Sequence, residues 1–347
     1  SSSRLPGAGR AAVAFAVTAI ALAAASPARA GDIDYKGWFV ALDAALTQPT
    51  GLDQHYATAL DRTTFQQQFL YLDNDAGVSG EARIGYSWGT LGGLSLSYWT
   101  FDNDDSLTQS DTANYIYPTV FGGIAYNAGE MLGLGVYPAV QADYTVDSSV
   151  KASTFDLEYS RPMEAGEHFN VTWLAGLRSV TFEEDLAFDG TDAYPGYPAL
   201  YQQTRHIESD GVGLKVGAVL DFGFTKHFSL QAKMAFSFLR GSMDAVTTQT
   251  ATSFFGFPPV YETKFDSLTI SQDNVRGEIR DYDLRAVWSW KSFDFYVGYG
   301  GSTWEGLVKD PTGDNFSGSA TLSDGADRDS MTFDSAHAGI VLRLGGG

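Results

Sequence analysis

The sequence predicts an all-β chain: a transmembrane antiparallel β-barrel of about 12 strands, with long extracellular loops and short periplasmic turns. Three observations carry the prediction. Apolar and polar residues alternate with period 2 over segments long enough to cross a bilayer at a tilt. The connections between those segments alternate between short and long. Aromatic residues gather at the segment ends that face the short connections, where rings with one wet edge settle at the headgroup level.

In chain order, the first element is a processing signal. Arg4 and Arg10 form a basic start, residues 11–25 (AAVAFAVTAIALAAA) form an uncharged apolar stretch, and Ala28-Arg29-Ala30 supplies small residues at a cleavage site. That stretch is too short to span a bilayer, so residues 1–30 read as a cleaved signal peptide and 31–347 as the barrel.

The expected strands are 38–46, 78–88, 94–101, 115–126, 132–146, 150–160, 169–182, 211–222, 228–240, 280–290, 293–304 and 336–344. An even count returns both ends of the barrel to one side of the membrane. The second hairpin pair and the junction between 146 and 150 keep ten and fourteen open. The pattern is plainest at 228–238: Phe228, Leu230, Ala232, Met234, Phe236 and Phe238 share one face, and Ser229, Gln231, Lys233, Ala235 and Ser237 the other. Gaps 47–77, 102–114, 183–210, 241–279 and 305–335 are long, whereas 89–93, 127–131, 161–168, 223–227 and 291–292 are short; 147–149 breaks the rule. A soluble sandwich has no reason to sort its connections this way. Trp38, Tyr86, Trp88, Tyr126, Tyr159, Phe222, Phe228, Trp290 and Phe293 would form the periplasmic aromatic rim.

Four blocks carry a family resemblance: residues 72–86 (LDNDAGVSGEARIGY), 173–178 (WLAGLR), 211–241 and 282–288 (YDLRAVW). In them the chain resembles the Legionella-type major outer membrane protein family of pore-forming barrels. The resemblance implies a channel in a Gram-negative outer membrane and supplies no catalytic set. The disulfide cross-links of part of that family have no counterpart, because the chain has no Cys.

Parity places Glu81, Arg83, Asp156, Glu158, Arg178, Lys215, Asp221, Lys233, Asp283, Arg285, Asp294 and Arg343 on the inward face, as candidate pore-lining residues. A lipid-facing Arg or Lys at mid-depth would cost about 2–4 kcal/mol, so their register is itself an argument for the fold. They either set a field across an aqueous lumen or pair with one another and fill it; the sequence leaves both open. In gap 241–279, Phe254, Phe255, Phe257, Pro258, Pro259 and Tyr261 make an apolar cluster. Folding into the lumen as a constriction is the favoured reading; a lid over the mouth and a partner-binding tip are the alternatives.

The formal net charge is −20, and residues 1–30 hold three Arg and no acid, so the remainder is more acidic still. Such a chain repels nucleic acid. The acids crowd into the long gaps, where an acidic mouth favours cations over anions. Lipid, lipopolysaccharide and small solutes or ions are the expected partners, and a homo-oligomer is left open. No cofactor and no metal site are expected. Asp102-Asn103-Asp104-Asp105 lacks the Gly and Glu of a calcium loop, since Leu107 and Ala113 stand there. No His pair has zinc spacing. His206 and His337 are the only candidates for an assembled hydrolase site. The sequence therefore points first to a passive, weakly cation-selective channel. The alternatives are a closed barrel displaying interaction loops and, third, a barrel enzyme.

Overall fold

The computed structural model describes residues 35–51, 54–61, 66–72, 74–112, 114–118, 142–166, 168–194, 197–255, 260–307 and 330–344. The proposed signal peptide, Tyr126 and Ala113 lie outside this set. Ten strands close into one antiparallel barrel: β1 (Lys36–Thr50), β4 (Gly77–Trp88), β5 (Gly93–Asp111), β7 (Ala142–Gly166), β8 (Phe169–Tyr194), β9 (Tyr197–Thr225), β10 (Phe228–Phe255), β11 (Val260–Trp290), β12 (Phe293–Glu305) and β13 (Ser330–Leu344). Each pairs with the next of these in sequence, and β13 closes on β1 with Trp38 opposite Leu344 and Leu46 opposite Ala336. Three short strands, β2 (Gln54–Asp61), β3 (Gln67–Leu72) and β6 (Asn114–Pro118), form a separate sheet in the order β3-β2-β6.

The count of ten replaces the expected twelve for two reasons. Residues 146 and 150 belong to one strand, β7, which runs unbroken through Asp147, Ser148 and Ser149 paired with β5 and β8. The described part of 115–126 is β6, which pairs with β2 in the small sheet and is not a strand of the barrel. Strand parity survives both corrections.

The outward face repeats the sequence pattern. On β9, Val212, Leu214, Val216, Leu220, Phe222 and Phe224 are all exposed. That run covers about 40 Å of strand, or about 30 Å of bilayer at a tilt near 40°. Near the short turns the aromatic rim is present. Trp38 meets Tyr86 edge-on at 5.3 Å, Tyr159 meets Trp173 at 5.4 Å, and Phe222, Phe224 and Phe228 touch in series.

Above the apolar band the wall continues. Strands β8 to β11 are 26, 29, 28 and 31 residues long, against the 9–11 a membrane crossing needs. Gaps 183–210 and 241–279, expected as loops, are paired hairpins: Tyr194 faces Tyr197, and Phe255 faces Val260. Hydropathy hid them because the inward side of this upper wall is partly polar, with Gln203, Arg205, Ser209, Thr247 and Gln249 all buried. With polar residues on both faces the period-2 signal vanishes while the backbone pairing persists.

Two local features fix the wall's shape. Between Gly241 and Ser242 the β10–β11 register shifts, leaving Asn274 unpaired at φ 61. That is a bulge whose odd residue takes the left-handed conformation Asn tolerates. Close by, a Cβ on Gly213 would overlap the carbonyl oxygen of Phe238. We expect Gly213→Val to abolish the folded, heat-modifiable band on unboiled gels, while Leu214→Val one position away on the lipid face leaves it in place.

Candidate functional site: the charged lumen and its apolar closure

The inward residues of successive strands stack into layers. The lowest lie near the short turns, where Gln231 Nε2 donates to Asp221 (3.0 Å) and Arg343 pairs with Asp294 (2.5 Å). Above them, at bilayer depth, is a chamber of about 240 Å³ lined by Asp43, Glu81, Arg83, Asp156, Arg178, Lys215, Lys233, Asp281, Asp283, Arg285 and His337 among others.

Its charges pair both between strands and within them. Arg178 grips Asp156 with two hydrogen bonds (Nε 2.7 Å, Nη2 2.8 Å) and reaches Asp281 at 2.8 Å on the far wall. Lys215 donates to Asp156 at 2.6 Å and to Glu158 at 3.1 Å. Arg83 pairs with Glu81 at 2.8 Å and stands 3.9 Å from Glu158. Arg285 pairs with Asp283, and its guanidinium lies over the Tyr296 ring. Lys233 forms no ion pair among the described residues. Arg178, Lys215, Asp156 and Glu158 are buried. Such groups are tolerated away from bulk water only when each finds a counter-charge.

All twelve sequence candidates therefore face inward, and most converge on this chamber. Asp43 and Asp281 are lumen residues absent from the sequence candidates, and His337, expected only as a hydrolase candidate, joins them there. Each adjoins an outward residue, Leu42, Tyr282 and Ala338 respectively, so alternation places all three inward. His337 lies between two carboxylates, Nδ1 2.8 Å from Asp43 and Nε2 3.0 Å from Asp283. With both ring nitrogens engaged, neither is left to take a proton from a hydroxyl nucleophile. His206 is on the outer wall, Nδ1 2.7 Å from Asp185.

Glu183, Asp185 and His206 bring one potential ligand atom each within 4.8 Å of one another. Within-strand spacing could not reveal this group, because its members face each other across β8 and β9.

The next layer is apolar. Phe101, Phe182, Leu239, Ile279, Trp304, Leu307, Met331 and Phe333 form one buried cluster, with Trp99 against it. Phe333 is its centre, with ring centroids 5.5 Å from Trp99, 5.5 Å from Trp304 and 5.3 Å from Phe101. Trp99 and Phe333 also line the chamber, so the aromatic layer is its extracellular wall.

Higher still, a polar level holds Glu184 and Arg205, paired at 2.5 Å with side chains fully buried, beside Gln203 and Gln249. A second apolar cluster follows. In it Tyr56 of β2 packs on Tyr144 and Phe188 of the wall, at 6.0 and 6.3 Å. Burial raises the Tyr56 and Tyr144 phenols above the ordinary tyrosine range.

The inward constriction expected from 241–279 has a different counterpart. Phe254 and Phe255 pair with Tyr261 and Val260 at the far end of the β10–β11 hairpin, continuing the wall; Phe257, Pro258 and Pro259 lie outside the described residues. The segment that packs against the inner wall is the β2–β3 hairpin of the first long connection.

The family model described as Legionella pneumophila major outer membrane protein precursor matches residues 34–274, well over half of the chain. The chain belongs to that family. It is an outer-membrane protein of a Gram-negative bacterium. No curated protein matches. Among solved structures, the outer membrane protease OmpT of Escherichia coli is 7% identical, covering 89% of this chain and 97% of its own, with a TM-score of 0.42. The P. putida toluene transporter TodX is 8% identical, covering 89% and 90%, with a TM-score of 0.26. The monoaromatic hydrocarbon channel CymD is 9% identical, covering 89% of each chain, with a TM-score of 0.30. Likenesses this remote carry no argument about activity.

Proposed function

We propose that this family member is a narrow, weakly cation-selective outer-membrane channel for small ions, held closed in the state described by the Trp99–Trp304–Phe333 layer. The observation that carries the reading is the chamber of about 240 Å³ on the barrel interior at bilayer depth, walled by ionisable residues from most of the strands. A barrel that is only an anchor can fill its interior with aliphatic side chains and avoid the desolvation cost of so many charges. The path above the aromatic layer is also built for water. Gln203 and Gln249 are register partners, and both side-chain amides are buried without a protein hydrogen bond, a state that water normally relieves. Filling of the described interior speaks against general diffusion of sugar-sized solutes.

Recording from the full chain in planar bilayers tests the proposal. In a KCl gradient we expect brief, small openings whose reversal potential shifts toward that of K⁺, because exposed acids such as Asp102, Asp104 and Asp244 ring the upper wall. Silence at every voltage from barrels shown to be folded would refute the channel. A reversal potential at zero would refute its selectivity.

A second reading has its own support. The β8–β9 and β10–β11 hairpins project well beyond the bilayer as paired wall, which suits a barrel that displays a rigid surface to a partner.

A further inference from the structure

We propose that Arg240 and Arg276 form a docking site for a phosphate-bearing glycolipid of the outer leaflet. The two arginines are direct register partners on β10 and β11, so their Cβ atoms stand about 5 Å apart. Both are exposed on the lipid side of the wall, with the parity of Phe236 and Phe238. Neither makes an ion pair among the described residues. Arg280, four positions along β11, is by contrast held by Glu305 at 2.9 Å and Glu278 at 3.5 Å.

Like charges directly opposed across strands destabilise a sheet. In a chain with a net charge of −20, the pair stands out from an upper rim that is otherwise acidic (Asp210, Asp244, Asp273 and Glu278). An anion between the two guanidinium groups removes the repulsion. Phosphate fits, because two planar forks can share its oxygens.

The surroundings select a lipid as the source. Below Arg276, Glu278 turns to Arg280. Beside Arg240, its register partner Val212 is 58% exposed, and below it Phe238 is 58% and Phe236 42% exposed, where the apolar belt ends. A headgroup phosphate held at this height lays its acyl chains along those side chains. Free phosphate gains nothing from them. The site is independent of whether the lumen conducts.

The test uses the full chain folded in detergent, with bisphosphorylated lipid A as the probe. We expect lipid A to bind wild type and raise its unfolding temperature, and Arg240→Gln/Arg276→Gln to weaken binding at least about tenfold, the loss of two charge-assisted contacts. Lys226→Gln/Lys291→Gln, at the opposite rim, should bind as wild type does. Without lipid the arginine double variant should be no less stable than wild type, because a repulsion has been removed; this crossover separates a ligand site from a folding role. Equal binding by wild type and the arginine variant would overturn the proposal. So would equal binding of dephosphorylated lipid A, or full competition by millimolar inorganic phosphate, which would make the site a simple anion trap.

Discussion

Replacing Trp304 and Phe333 with Ala is expected to convert brief, small openings into a sustained conductance several-fold larger. Both side chains are almost fully buried, and both belong to the layer that walls off the charged chamber from the extracellular side. Their removal empties the centre of the aromatic contact set while leaving every chamber ion pair in place. Each truncation costs about 3–5 kcal/mol of packing, so the folded state must be shown independently by its heat-modifiable migration. Trp304→Phe should leave the conductance near that of wild type. If folded Trp304→Ala/Phe333→Ala barrels stay silent, the aromatic layer is not the closure and the conduction proposal fails with it.

The largest effect on stability is expected at Arg178. Its guanidinium, 5% exposed, neutralises Asp156 on one wall and Asp281 on another. Arg178→Ala should lower the free energy of unfolding in detergent by about 3–5 kcal/mol, because carboxylates are left in a closed interior without their counter-charge. Asp156 retains Lys215 at 2.6 Å and Asp281 retains the Ser302 hydroxyl at 2.9 Å, so the loss falls mainly on Asp281. Arg178→Ala/Asp281→Asn should therefore recover a substantial part of it. Denaturant titration of the single and double variants gives the coupling directly. Additive losses would mean that the pair contributes nothing as a pair.

Sequence by itself determined the facing of side chains. Lipid is a solvent that rejects charge, so every second residue in the membrane-crossing parts of β4, β9, β10 and β11 had to be apolar, and parity then placed Glu81, Lys215, Lys233 and Asp283 inside. Trp99 and Phe101 share the inward register, but parity alone gave no sign that they would join Trp304 and Phe333 in closing the lumen. Tertiary structure decided what parity cannot see. The strand count fell to ten because Val146 and Val150 share one strand and β6 pairs with β2 instead of joining the barrel, matters of pairing and not of local composition. The upper hairpins kept their pairing where Gln203, Arg205 and Gln249 erase the alternation, since backbone hydrogen bonds are indifferent to hydropathy. Tyr56 came to rest against Tyr144 and Phe188, which stand about ninety and more than a hundred and thirty residues away in the chain. Contacts of that range depend on which strands become neighbours when the sheet closes, and closure is a property of the whole chain.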